Sequence, residues 1–181
     1  MIDRLMIVVT AGTLLTLSFI TYSAPANIPH TAQQHHSMYA GEENRPIKSL
    51  SDDDIAQLTQ GRGWGLAKAA ELNGMPGPIH LLQMRNEIKL TTLQINQLEM
   101  LFNTMKQQAI PLGKQLIERE AQLNSAFANK TVTKKSLQKI MTDIATTYSR
   151  LRFTHLAAHL ETPNILTPTQ IKQYNALRGY Q

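Results

Sequence analysis

Two long stretches of this chain carry apolar residues at alternating spacings of three and four, the pattern of a helix with a seven-residue repeat. No segment shows the alternation and tight turns of paired strands. The pattern predicts an all-α chain whose two long helices form a bent antiparallel hairpin, with short helices on either side. The apolar positions are Ile95, Leu98, Phe102, Met105, Ala109, Leu112 and Leu116 in the first stretch, and Leu137, Met141, Ile144, Tyr148, Leu151, His155 and Ala158 in the second.

Proline residues are expected to modify both long helices. Pro111 lies inside the first helix and should bend it, with Gly113 easing the bend. Pro163 and Asn164 should end the second helix. A thin layer of helices with such a stripe buries little apolar surface by itself, so we expect a homodimer.

The pentapeptide Leu-Thr-x-x-Gln occurs twice, and each copy is a helix-start signal. The threonine hydroxyl can accept from an unpaired backbone N–H of the first turn, and the glutamine three residues later can close a capping box. The preceding leucine can pack on the isoleucine after the glutamine, forming a hydrophobic staple. The motif residues are Leu90, Thr91 and Gln94 in the first copy, and Leu166, Thr167 and Gln170 in the second.

Residues 1–26 have the form of a signal peptide. A short basic n-region precedes an apolar stretch, and Ala24-Pro25-Ala26 matches a signal-peptidase site. We expect cleavage after Ala26 and export, with cleavage after Ser23 or Ala24 as alternatives. An uncleaved inner-membrane anchor stays open, because the stretch is near the lower limit of ~17–25 residues for a span. It is less favoured, because the stretch ends in an Ala-x-Ala site and a polar tail rather than in a basic stop-transfer cluster.

The rest of the chain divides into three parts. Residues 27–50 are polar without a period and are expected to be a flexible tail or linker. Residues 51–77 predict short helices broken by glycines around Trp64, without the motif of a nucleotide-binding loop. Residues 78–181 predict the main helical domain. Its first helix should end before Thr91, with Ile79, Leu82 and Ile88 on one face.

Composition restricts the chemistry. The chain has no cysteine, so it can use neither disulfides nor thiolate chemistry. It carries no recognisable nucleophile motif, so we expect no enzyme. Its net charge of +5 favours anionic partners, but export makes nucleic acid an unsuitable one.

Basic residues gather on the two long helices, where a positive and partly apolar surface would attract unfolded acidic chains and then hold them. The alternative is that these charged residues only form a solvent-exposed helix face that binds no partner. The candidate client-binding residues are Lys106, Lys114, Arg119, Lys134, Lys135, Lys139, Arg150 and Arg152.

His155 and His159 are four residues apart, so their imidazoles can reach one zinc, copper or nickel ion. His80 is the candidate third ligand, with Glu161 as the alternative. A purely structural use is favoured, because His155 falls on the apolar stripe. His30, His35, His36 and Met38 in the tail would bind metal only loosely.

The signal peptide, the helix order and both pentapeptides resemble the Spy/CpxP family of bacterial periplasmic proteins, over about residues 78–180. The segments 65–80 and 174–180 look like a subgroup described as heavy-metal resistance proteins or periplasmic metal sensors. The resemblance implies a cradle-shaped antiparallel dimer and ATP-independent binding of unfolded or misfolded envelope proteins. The alternatives are metal binding or sensing with a signal to a membrane partner, or docking on the periplasmic domain of a sensor kinase.

Overall fold

The computed structural model describes residues 37–180 of the 181-residue chain, so the predicted signal peptide lies outside the described residues. Within 37–180 the chain forms helices and no strand. A short 3-10 turn, Glu42–Asn44, precedes six α-helices. These are α1 (Asp52–Thr59), α2 (Lys68–Glu71), α3 (Pro78–Gln83), α4 (Thr92–Ala128), α5 (Lys134–Ile165) and α6 (Pro168–Leu177).

The long helices α4 and α5 pack against each other, which confirms the predicted all-α hairpin with short flanking helices. Most residues of the two predicted apolar stripes are buried or half-buried. Met141 and Tyr148 are instead 46% and 38% exposed. Ile144 lies between them and is buried, so only one side of the α5 stripe faces the core in this part of the helix. The homodimer stays a prediction.

The prediction that Pro163 ends the second helix was wrong, because α5 continues to Ile165. Proline removes the N–H that would bond the carbonyl four residues earlier, here that of His159. The single hydrogen of the Thr162 hydroxyl is shared between this oxygen, at 3.0 Å, and the Pro76 carbonyl oxygen, at 2.7 Å. The hydroxyl therefore replaces the missing donor only in part, and its bond to Pro76 ties the last turn of α5 to the segment before α3.

Gly113 allows α1 to approach α4. A β-carbon at this position would lie 2.2 Å from the carbonyl oxygen of Leu58, near the end of α1. Only glycine permits so close a contact between a helix and a backbone carbonyl. Gly113 therefore has a role in packing α1 against α4, which the sequence did not indicate, in addition to the predicted role in a bend.

The helix that begins at Pro78 is shorter than predicted and ends at Gln83. Turns follow, and Lys89 adopts a left-handed conformation with φ of 52°, which a continuing helix excludes. The predicted face is correct only in part, because Ile88 is buried and Leu82 is half-buried. Leu81 is fully buried, whereas Ile79 is 37% exposed.

The apolar core has two clusters. The α1 cluster lies between the segment before α1 and the middle of the hairpin, and the box cluster lies beside the two pentapeptides. The α1 cluster contains Ile47, Leu50, Leu58, Leu66, Ala109, Leu112, Leu116, Ile144 and Leu151. The box cluster contains Leu81, Ile88, Leu98, Leu166 and Tyr174. Because Ile47 and Leu50 belong to the core, the folded domain begins before residue 50, and residues 47–50 are not part of a flexible tail.

Candidate functional site

Both Leu-Thr-x-x-Gln copies form the capping boxes that the sequence predicts. The Gln94 backbone N–H donates to the Thr91 hydroxyl at 3.2 Å, and the Thr91 N–H donates to the Gln94 side chain at 3.0 Å. Thr167 and Gln170 repeat the arrangement at the start of α6. Each box therefore satisfies two N–H groups that a helix start would otherwise leave unpaired.

The two boxes are also joined to each other, which the sequence analysis did not anticipate. The Gln94 Nε2 donates to Gln170 Oε1 at 2.9 Å, and Gln170 Nε2 donates back to Gln94 Oε1 at 3.0 Å. The second amide hydrogen of Gln94 goes to the Ile165 carbonyl, and that of Gln170 to the Lys89 carbonyl. These two carbonyls occupy equivalent places, directly before the leucine of each box. Both side-chain amides thus use all their donor hydrogens.

A buried carboxylate is bonded to α6 one helical turn after Gln170. Glu71 at the end of α2 is only 8% exposed and accepts hydrogen bonds on Oε1 from the hydroxyls of Tyr174 and Tyr180. Arg178 Nη2 and His80 Nδ1 lie 3.4 and 3.3 Å from the same oxygen. Glu71 therefore ties α2 to α3 and to the C-terminal segment.

The pKa values of this group follow from its neighbours. Burial by itself would raise the pKa of Glu71, but His80, the Tyr174 hydroxyl and the charge of His159 outweigh it and lower the pKa to about 2. Burial raises the pKa of Tyr174, and its hydrogen bond to Glu71 adds to the effect. Glu71 is consequently an anion at neutral pH, and Tyr174 keeps its proton.

The three predicted histidines lie around one pocket, but they face different partners. His159 Nδ1 lies 2.8 Å from the Met75 carbonyl oxygen and 3.9 Å from Glu71 Oε2. His80 contacts Glu71, as described. His155 is 3% exposed, and its Nε2 has no hydrogen-bond partner. Burial, and then the charge of His159, lowers the pKa of His155 to about 4, so its ring is neutral at neutral pH.

This arrangement does not form a ready metal site. Across residues 37–180 no group of three or more His, Cys, Asp or Glu side chains is placed to hold a metal ion. His159 already uses Nδ1 on a backbone carbonyl, and Glu71 is surrounded by donors. Glu161, the alternative third ligand, is exposed and contacts Asn164. Zinc, copper or nickel binding stays a prediction that the geometry does not favour.

The pocket beside the histidines has a volume of about 690 Å³. Its walls combine apolar side chains with three cations and the histidine group. Trp64 sits on the wall with a φ of 41°, and its Nε1 donates to Asp54 at 2.7 Å. The lining includes Arg62, Trp64, Lys68, Glu71, Ile79, His80, Phe102, Met105, Lys106, His155 and His159. We call this the Trp64 pocket.

A second cavity, of about 660 Å³, is an open groove lined only by residues of α4 and α5. Its lining includes Phe153, which is 69% exposed, together with Arg150, Pro111 and Leu112. Several uncharged polar side chains complete its walls. We call this the hairpin groove. It offers apolar surface that no described residue covers.

The predicted basic residues do not form one patch. Lys106 lines the Trp64 pocket, with its amine 5.9 Å from the centre of the Phe102 ring, and Arg150 lines the hairpin groove. Lys139 is paired with Asp143 at 2.7 Å, and Arg119 is half-buried. The remaining predicted residues, Lys114, Lys134, Lys135 and Arg152, are exposed.

Sequence reasoning missed Glu71 and Trp64 as site residues. The sequence near Glu71 shows no hydrogen-bond partner for its carboxylate, because the two tyrosines that donate to it are 103 and 109 residues away in the chain. The glycines that flank Trp64 were the one available signal, since they mark a loop with an unusual backbone. Gly61 and Gly65 do adopt left-handed conformations.

Comparison with protein-family models, with curated proteins and with solved structures found no match to this chain. None of the helices within residues 37–180 is both long and apolar enough to cross a membrane.

Proposed function

We propose that the protein is an ATP-independent chaperone that binds unfolded or misfolded proteins in the bacterial periplasm. The observation that carries the proposal is the hairpin groove, which the exposed ring of Phe153 and the side chain of Arg150 both line. Aromatic side chains and arginines are enriched at protein interfaces, so a groove that contains both can supply apolar contact and charge to a partner. The sequence resemblance to the Spy/CpxP family supports the same conclusion.

Four exposed apolar side chains on the two long helices have a regular spacing. Leu93 and Met100 are seven residues apart on α4, and Phe153 and Leu160 are seven apart on α5. All four are more than half exposed. Two helical turns separate the members of each pair, so each pair shares one side of its helix. The result is a strip of separate apolar contacts that can accept many different sequences, because hydrophobic contact is non-directional.

Charge would assist capture. The exposed lysines and arginines on the two long helices raise the local concentration of acidic chains, and their effect falls as salt increases. Neither step needs nucleotide. Binding would end when the client folds and withdraws its own apolar residues.

The test is an aggregation assay with a chemically unfolded acidic client and the mature chain, residues 27–181, first in chelator and then with added zinc or copper. We expect suppression in chelator at a near-stoichiometric ratio. Replacing Phe153 with serine should weaken suppression severalfold. Phe127→Ser is the matched control, because Phe127 is also exposed on α4 but does not line the groove.

Three other results would redirect the proposal. Suppression only with added metal would favour the metal-binding alternative. Equal loss in both phenylalanine variants would place the client surface outside the groove. No suppression under any condition would overturn the chaperone proposal and favour docking on a sensor-kinase domain.

A further inference from the structure

We propose that the Trp64 pocket binds a small organic anion, specifically a carboxylate carried on an apolar body. The proposal does not depend on chaperone activity, since the pocket and the hairpin groove are lined by different residues. A volume of about 690 Å³ is within the ordinary range for small-molecule sites, roughly 300–1,000 Å³.

The first argument is a buried polar side chain that lines the pocket. His155 is 3% exposed, and its Nε2 is buried without a hydrogen-bond partner in the described chain. Buried polar atoms are nearly always paired, so the histidine side of the pocket is incompletely satisfied.

The second argument is the sign of the charge around the pocket. Arg62, Lys68 and Lys106 line it, and Glu71 is its single carboxylate. That carboxylate is engaged by two tyrosine hydroxyls and flanked by Arg178. Even if Glu71 is counted as a full negative charge, the three cations outnumber it, so the lining favours an anion.

The third argument is the apolar wall. Phe102 and Met105 of α4 and Ile79 of α3 face the same cavity as Trp64. Lys106 extends its amine to 5.9 Å from the Phe102 ring, which places a cation next to the apolar wall. An amphipathic anion would satisfy both surfaces at once, whereas a bare inorganic ion would leave the apolar wall exposed to water.

Trp64 itself is held in an unusual conformation. Its φ of 41° is rare for a bulky residue. A hydrogen bond to Asp54 and an edge-on contact with the Tyr148 ring at 6.3 Å keep it there. Strained residues of this kind concentrate at ligand sites, because the surrounding structure must fix them in place. The indole is therefore pre-positioned as one wall.

The experiment uses Trp64 as its own reporter, since it is the single tryptophan of the chain. The mature protein is titrated with 4-phenylbutanoate, and binding is followed by tryptophan fluorescence and by calorimetry. The uncharged analogue 4-phenylbutanamide is the matched probe. We expect saturable one-to-one binding of the carboxylate and at least about fivefold weaker binding of the amide.

Two lysine variants locate the site. Lys106→Met keeps the apolar stem and removes the charge, so it should weaken carboxylate binding about fivefold. Lys114→Met makes the same change on an exposed position of α4 outside the pocket and should leave binding unchanged. No saturable binding, equal affinity for both probes, or equal effects of the two variants would each overturn the proposal. Retained helical circular dichroism in both variants excludes unfolding as the cause.

Discussion

The α1 cluster and the box cluster stabilise the same hairpin by different means. The α1 cluster is built of apolar side chains and of one close backbone contact, between Gly113 and Leu58. The box cluster is small, and it lies next to two polar groups, the glutamine pair and the Glu71 group. Both groups are held by hydrogen bonds between residues far apart in the sequence. Apolar packing is sensitive to changes of volume, whereas a polar network is sensitive to the loss of one partner. Substitutions of different kinds should therefore destabilise the two regions.

The largest loss of stability is expected in the α1 cluster, from the addition of a single methyl group. Gly113→Ala would place a β-carbon 2.2 Å from the Leu58 carbonyl oxygen and 2.9 Å from its carbon. Because both atoms belong to the backbone, α1 must shift. We expect the free energy of unfolding to fall by about 3 kcal/mol, measured by urea denaturation.

Gly63→Ala is the control, because a β-carbon there meets no atom within 4 Å. It should change stability by no more than about 1 kcal/mol. If Gly113→Ala were as mild as the control, α1 would be loosely attached, and the contrast between the two clusters would fail.

The second prediction concerns pH and the histidine between the clusters. His155 has a pKa of about 4 in the folded chain, against a usual value of 6.5. As the pH falls from 6.5 to 4 the unfolded chain binds a proton that the folded chain excludes, so stability falls through this window. We expect a loss on the order of 2 kcal/mol, measured by urea denaturation at pH 7.5 and 4.5.

A His155→Met variant should show a flatter pH profile over the same range. Glu71 does not obscure the test, because its pKa is lowered to about 2 and its stabilisation is lost only below the usual glutamate pKa of 4.5. An unchanged slope in His155→Met would mean that His155 is accessible to protons in the folded chain.

The smallest effect is expected from the glutamine pair. Gln94→Ala and Gln170→Ala should each lower stability by about 1 kcal/mol, by opening a capping box and leaving the other amide without its partner. The second replacement should then add less than the first. A double-mutant cycle by urea denaturation should give a coupling of about 1 kcal/mol.

Ser136 supplies a control for that cycle, since it closes the capping box of Thr133 and has no glutamine partner across the chain. Gln94→Ala and Ser136→Ala should be additive within about 0.5 kcal/mol. An additive result for the glutamine pair as well would show that each box acts alone.

The features that the sequence predicted are those that depend on neighbouring residues. Thr91 and Gln94 are three positions apart, so their capping box can be recognised without any knowledge of the fold. The two long helices follow likewise from the regular spacing of apolar residues. The hydrogen bond between Gln94 and Gln170 joins positions 76 residues apart, so no local sequence pattern could have predicted it.

The errors have the same origin. Pro163 was expected to end α5 because proline lacks an N–H, but the Thr162 hydroxyl, which is shared between the carbonyls of His159 and Pro76, holds the last turn in place. Ile47 and Leu50 looked isolated in a polar segment, yet the fold places them against the middle of the hairpin. Each outcome depends on three-dimensional neighbours that a single sequence does not display.

The glutamine pair also bears on the rates of folding and unfolding, in addition to the free energy of unfolding. Closing a 76-residue loop is entropically unfavourable, so this contact is expected to form only after α4 and α5 have docked. An interaction that is missing from the folding transition state does not speed folding, but it must be broken early when the chain unfolds. The pair is therefore expected to slow unfolding rather than to speed folding.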